Sequence, residues 1–210
     1  THWYFTATPI GGPEGPPDYI HGDIHRIYYH PDNHDTIYFV TDGGVFRSLD
    51  NGETFSGCNG SYQVTQFYAD FSNSQTDSLF AIGGMQDNAT GVYEGNLSWR
   101  RVIGGDGLST AINPDNDQIV YASCQYLNIF RSADKAINFN FLDNLPVNGN
   151  PNFASPYALC SFDPEILYAG SDVSYKSMDG GFSWFAVNNG NTLDSNPVLK
   201  IAVSALDCDL

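Results

Sequence analysis

Four aspartates, Asp23, Asp42, Asp87 and Asp106, sit beside glycine, asparagine or histidine in short polar stretches of an otherwise apolar, aromatic chain. Cleavage of a glycosidic bond uses two carboxyl groups about 5 to 9.5 Å apart. Any two of the four that face one another across a cleft are therefore the weak catalytic candidates. His21, Asp23 and His25 alternate along the chain. On a strand, alternate side chains share a face, so these three form a candidate ligand set for a divalent metal; the alternative is that they pack against neighbouring turns. Calcium is the cation that Asp42, Asp87 or Asp106 would take together with backbone carbonyls, although the spacing of a helix-loop-helix calcium loop is absent. Gly104-Gly-Asp-Gly107 has neither the lysine nor the helix of a phosphate loop, and no Gly-x-Ser-x-Gly elbow is present.

The elements that must position these groups are read from a repeat. The doublets Ile37-Tyr38, Leu79-Phe80, Val120-Tyr121 and Leu167-Tyr168 recur at roughly 40- to 50-residue intervals, the length of an all-β propeller blade. With 21 Gly, 11 Pro and only 15% charged residues, the composition favours short strands and turns. The chain is thus predicted to be one all-β segment, residues 1–210, of four-stranded antiparallel propeller blades. Their approximate bounds are 23–57, 64–103, 107–142 and 155–187. A partial fifth blade is expected from residues 1–10 and 197–210, with strands at 3–8 and 198–205. Thr1 without a preceding Met suggests a processed or excised chain, part of a larger propeller or assembly.

Two turns share a further pattern. Ser48-Leu-Asp50-Asn-Gly52-Glu-Thr54-Phe55 is matched by Ser177-Met-Asp179-Gly-Gly181-Phe-Ser183-Trp184, and Ser132-Ala-Asp134-Lys-Ala136-Ile-Asn138-Phe139 is a third copy without the glycine. Aspartate caps backbone amides in a hairpin, glycine accepts a positive φ, and the aromatic ring inserts between sheets. The third hairpin is therefore expected to be strained or bulged. These turns resemble the Asp-box of the BNR-repeat β-propeller family, which includes sialidases, sortilin-type receptors, xyloglucanase-like hydrolases, photosystem assembly factors and many exported bacterial proteins. The resemblance covers residues 21 to 185. It implies a structural role for Ser48, Asp50, Gly52, Phe55, Asp134, Ser177, Asp179, Gly181 and Trp184. A sialidase arginine cluster is not assembled by Arg26, Arg47, Arg100, Arg101 and Arg131.

In such blades the turn between the second and third strands lies opposite the Asp-boxes. That face is predicted to bind ligands and to collect His21, Asp23, His25, Asp42, Gln86, Asp87, Asn88, Asp106, Tyr126 and Asp172. The formal charge of −16, from 8 Lys+Arg against 24 Asp+Glu, removes nucleic acid as a partner. No stretch approaches the ~18 apolar residues of a membrane span. Asn59, Asn88 and Asn96 head glycosylation sequons, which admit an exported route. Cys58, Cys124, Cys160 and Cys208 lack zinc spacing and allow three disulfide pairings or buried free thiols.

The expected function is a secreted or cell-surface binding or assembly module without catalysis. Its partner is a protein or glycan, or another copy reached through exposed blade edges. The alternative is a fragment of a glycoside hydrolase using paired aspartates. No cofactor is expected beyond a divalent cation such as calcium.

Overall fold

The computed structural model describes residues 20–59, 66–96, 99–147, 149–192 and 194–208. The strand expected at residues 3–8 lies outside them. The described residues form four antiparallel four-stranded sheets in two compact bodies, which divide between residues 65 and 66. The first body holds β1 (Ile24–His30), β2 (Asn33–Thr41), β3 (Gly44–Ser48) and β4 (Ser56–Gly57). The second holds three sheets: β5 (Phe71–Asn73), β6 (Phe80–Met85), β7 (Ala89–Glu94) and β8 (Arg100–Ile103); then β9 (Thr110–Ile112), β10 (Val120–Cys124), β11 (Asn128–Ser132) and β12 (Asn140–Phe141); then β13 (Tyr157–Leu159), β14 (Leu167–Gly170), β15 (Ser174–Ser177) and β16 (Phe185–Ala186). In every sheet the order in space is the order in sequence. This is the blade unit of a β-propeller, and the chain is all-β of that class.

The register corrects one alignment. Ile37, Val120 and Leu167 lie opposite Ser48, Ser132 and Ser177, the first residues of the three Ser-x-Asp turns. In the second sheet the matching position, opposite Glu94, is Phe80. Phe80 is thus equivalent to the first residue of the other doublets, not the second. Leu79 falls outside β6 and is 56% exposed, whereas Phe80 is 1% exposed.

Residues 198–205 also differ from expectation, for they form no strand. The Val198 amide donates to the Ser171 carbonyl at 2.6 Å, and Val203 packs beside Cys160, Ile166 and Cys208. Cys160 and Cys208 are joined in a disulfide; Cys58 and Cys124 are free.

Each of the three Ser-x-Asp turns forms a closed hydrogen-bonded cage, or box. In the first, Ser48 Oγ donates to Asp50 Oδ1 at 2.7 Å and accepts from the Gly52 amide, while Asp50 accepts from the Thr54 amide at 2.8 Å and the Thr54 hydroxyl at 2.5 Å. Ser177, Asp179, Gly181 and Ser183 repeat these contacts. So do Ser132, Asp134, Ala136 and Asn138, with the Asn138 side-chain amide replacing the hydroxyl. Gly52 and Gly181 lie at φ 92°; in the third copy Lys135 and Ala136 occupy the left-handed region at φ 58° and 62°. The third hairpin is therefore strained, as expected, but not bulged: the cage holds two non-glycine residues in a conformation that costs each about 1 kcal/mol or more. The aromatic residue of each box closes the turn on its sheet. Phe55 stands edge-on to Phe39 at 5.3 Å, and Trp184 donates its indole N–H to the Gly181 carbonyl at 2.9 Å.

Within the second body, each box also grips the sheet before it. Arg100 of β8 donates to the Ala136 carbonyl at 2.8 Å, and Lys135 Nζ reaches Asp77 at 2.7 Å. One sheet later, the buried Tyr121 hydroxyl donates to the Gly180 carbonyl at 3.1 Å, while Arg131 lies 4.8 Å from the centre of the Phe182 ring.

The cages have an acid signature. Hydrogen bonds from Thr54, and at Asp134 from Asn138, pull both carboxyls down to about 2; Ser183 pulls Asp179 down as well. A carboxyl whose folded pKa lies below its unfolded value near 4 stabilises the fold above that value, and the contribution fades as pH falls toward the folded pKa. Thermal midpoints are thus expected to be flat from pH 7 to about 5 and to fall between about 4 and 2. A variant carrying Asp50→Asn, Asp134→Asn and Asp179→Asn should start lower at pH 7 and show a shallower acid slope. What slope remains comes from Asp77, Glu94 and Asp194, whose carboxyls are lowered by Lys135, Arg100 and the Asn196 amide. An unchanged slope in the variant would refute the assignment.

Candidate functional site

The inner edge of each sheet in the second body is a short strand with one unpaired side: β5, β9 and β13. Together they border a cavity of about 520 Å³, lined by Ser72, Asn73, Gln75, Thr110, Tyr157 and Ser161 among others. Ser72 Oγ donates to the Thr110 carbonyl at 2.8 Å, which ties β5 to β9. The buried Tyr157 hydroxyl donates to the Ser109 carbonyl at 3.2 Å, and burial drives its pKa well up, so it stays a neutral phenol. Among the described residues, the lining contains no carboxylate, histidine, lysine or arginine. None of the residues anticipated for the binding face lines it. The sequence held a cue, polar residues such as Ser72 and Thr110 in first strands, but its meaning depends on three strands converging.

The anticipated face is nevertheless built from specific parts. In the second body, the Asp87 amide donates to Asp106 Oδ1 at 2.7 Å and the Gln125 side-chain amide donates to Asp106 Oδ2. Both carboxylate oxygens of Asp106 are thereby used to tie the β6–β7 turn to the corner after β10. The Gly107 amide donates to the Met85 carbonyl, and a Cβ on Gly107 would strike the Ala89 carbonyl. The Gly-Gly-Asp-Gly stretch is thus a clamp that needs close backbone approach. Asp172 serves a similar end, with Oδ1 accepting from the Asn150 amide at 3.2 Å and from Ser171 Oγ at 3.1 Å. Gln86 is exposed and Asn88 half-buried at the same β6–β7 turn; the Asn88 side-chain amide donates to the Gln86 carbonyl. Burial, with Asp106 adding to it, raises the Cys124 thiol, which makes it a poor nucleophile.

Tyr126 occupies the tight turn between β10 and β11. It and Leu127 are both left-handed, at φ 60° and 66°; the Leu127 side chain is buried while Tyr126 is 57% exposed.

In the first body the proposed three-ligand strand does not exist. β1 begins only at Ile24, and Asp23 sits in the left-handed region at φ 55°, so His21, Asp23 and His25 do not alternate along one strand. His25 Nε2 instead donates to Asp42 Oδ1 at 2.6 Å, and His21 Nδ1 contacts the Gly22 carbonyl. Asn59 is equally committed: its Oδ1 accepts from the Val45 amide at 2.8 Å and its Nδ2 donates to the Gly43 carbonyl at 3.1 Å, bracing the β2–β3 turn. Asn59 in the folded protein is therefore a turn brace.

No protein-family profile and no curated protein matches the sequence. Solved structures do resemble the chain. The GH74 xyloglucanase from Xanthomonas campestris is 14% identical, with 81% of this chain aligned to 31% of that one and a TM-score of 0.48. A GH74 enzyme of Niastella koreensis is 19% identical, over 80% of this chain and 30% of its own, with a TM-score of 0.45. YCF48 bound to D1 peptide is 16% identical, over 83% and 57%, with a TM-score of 0.43. The chain thus spans less than two thirds of the length of each of these structures.

Proposed function

We propose that this chain belongs to a secreted or cell-surface propeller that works by binding, holding a protein or glycan ligand without transforming it. The observation that carries this reading is the cavity along β5, β9 and β13. Its volume of about 520 Å³ falls within the range of ligand sites, and among the described residues its walls offer hydroxyls, amides and strand edges but no acid–base pair. Such a lining suits neutral, hydrogen-bonding ligands. A hydrolase would need a free carboxyl pair, and in the second body Asp106 already spends both oxygens on structure.

The test is affinity electrophoresis through neutral polysaccharides, run beside an assay for released reducing ends. Retardation without release is expected. Ala158→Trp, which fills the cavity from β13, should abolish the retardation. Release of reducing ends that disappears in Asp87→Asn would replace this reading with the hydrolase.

Export is supported by the Cys160–Cys208 disulfide, a bond that persists in oxidising compartments. Asn96 lies on an exposed turn, with its amide bonded only locally to the Glu94 carbonyl at 3.3 Å. Protein from a eukaryotic secretory host should carry a glycan at Asn96 and none at Asn59. Intact mass and peptide mapping decide this; a glycan on Asn59 in folded material would contradict it.

A further inference from the structure

Three loops of the second body bring Tyr68, Tyr126 and Phe153 together. Phe153 stands between the tyrosines, with centroids 5.7 Å from Tyr126 and 6.5 Å from Tyr68, and its plane is nearly perpendicular to both, at 86° and 78°. Both tyrosines are exposed, at 57% and 42%. The chain works to keep Tyr126 there. Its amide donates to the Phe153 carbonyl at 3.0 Å, Asn128 pins the Gln125 carbonyl at 2.6 Å, and buried Leu127 anchors the next residue. Two consecutive non-glycine residues in left-handed backbone oppose folding, and the outcome of that cost is a large ring held in water. Burial of Leu127 and the edge-on contact with Phe153 offset part of that strain, yet the Tyr126 ring still stands more than half in water.

We propose that this aromatic rim binds an extended, proline-rich peptide segment with basic flanks. This rests on the binding-module reading and names one class of its protein ligands. A polyproline II strand offers flat apolar rings and carbonyls with no internal hydrogen bonds, which match ring faces and phenol donors. A neutral sugar gains nothing from the acidic surround, whereas a peptide with basic flanks does. Exposed Asp70 near Tyr68 and a net charge of −16 select basic flanks over acidic ones.

The test uses fluorescence anisotropy of a labelled Pro-Pro-Lys repeat about 12 residues long, the same peptide with Glu for Lys, and cellohexaose as competitor. The basic peptide should bind saturably, the acidic one at least about tenfold more weakly, and cellohexaose should not compete. Tyr126→Asn removes the ring with a residue that tolerates left-handed backbone, so its melting temperature should hold or rise while affinity falls about tenfold or more. Ala158→Trp should leave peptide binding intact. Absence of peptide binding, equal binding by Tyr126→Asn, or a lower melting temperature with unchanged affinity would each overturn the proposal. So would competition by cellohexaose that depends on Tyr126. In all four cases retention on polysaccharide that Ala158→Trp abolishes would leave the binding-module reading standing.

Discussion

Phe80→Ala is expected to destabilise the second body by about 3 to 5 kcal/mol, while Leu79→Ala, one residue earlier, should change stability by only about 0.5 kcal/mol. The contrast follows from the register. Phe80 opens β6 and is buried against Ile82, Val92, Val120 and Ala136, at the seam of two sheets. Removing its ring leaves a cavity that two rigid sheets cannot collapse around. The loss also frees Lys135, whose ammonium lies 4.9 Å from the ring centre while it bonds Asp77 at 2.7 Å. That contact adds about 0.5 to 1 kcal/mol. Leu79 has over half its surface in water. Urea denaturation of the two variants checks the assignment, and a larger loss for Leu79→Ala would return the sheet to the doublet alignment read from sequence.

Opening the Cys160–Cys208 bond should cost about 4 kcal/mol, because the cross-link spans 48 residues and closing a loop of that length removes much unfolded-chain entropy. For a body of this size the melting temperature should drop by on the order of 10 °C. The bond joins the residue after β13 to the segment that covers Ile166 and Tyr168, where the Tyr168 hydroxyl donates to the Cys208 carbonyl at 2.8 Å. Reduction therefore loosens a covering segment as well as a loop. Differential scanning calorimetry of a Cys160→Ser, Cys208→Ser variant, with and without reductant, measures the effect. A melting temperature equal to that of the native protein would refute it, and so would free thiols found at both positions by mass spectrometry.

Which of these features could be read before the structure depends on how local their physics is. The Ser-x-Asp turns were legible because serine, aspartate and the residue four places after the aspartate bond one another within a single turn. Their strain at Lys135 and Ala136 followed from the missing glycine. The all-β blade order was legible from turns and repeated apolar runs. The second sheet misled the alignment because it lacks a box to set its phase, and Leu79 and Phe80 are equally apolar. His21, Asp23 and His25 failed as a set because a left-handed Asp23 breaks the two-residue alternation on which their shared direction depends. The cavity was not legible, since its walls are the free edges of three strands far apart in the chain. The pairing of Cys160 with Cys208 was one of three combinations, with nothing local to choose among them.

The grip of each box on its predecessor runs in one direction. The box turn after β11 leans on the sheet of β5 to β8, and the turn after β15 leans on the sheet of β9 to β12. Such overlap resembles roof tiles laid in sequence. A chain leaving the ribosome N-terminus first would meet each support already assembled before the turn that needs it is made, whereas a chain refolding from denaturant has to find the same order without that timing.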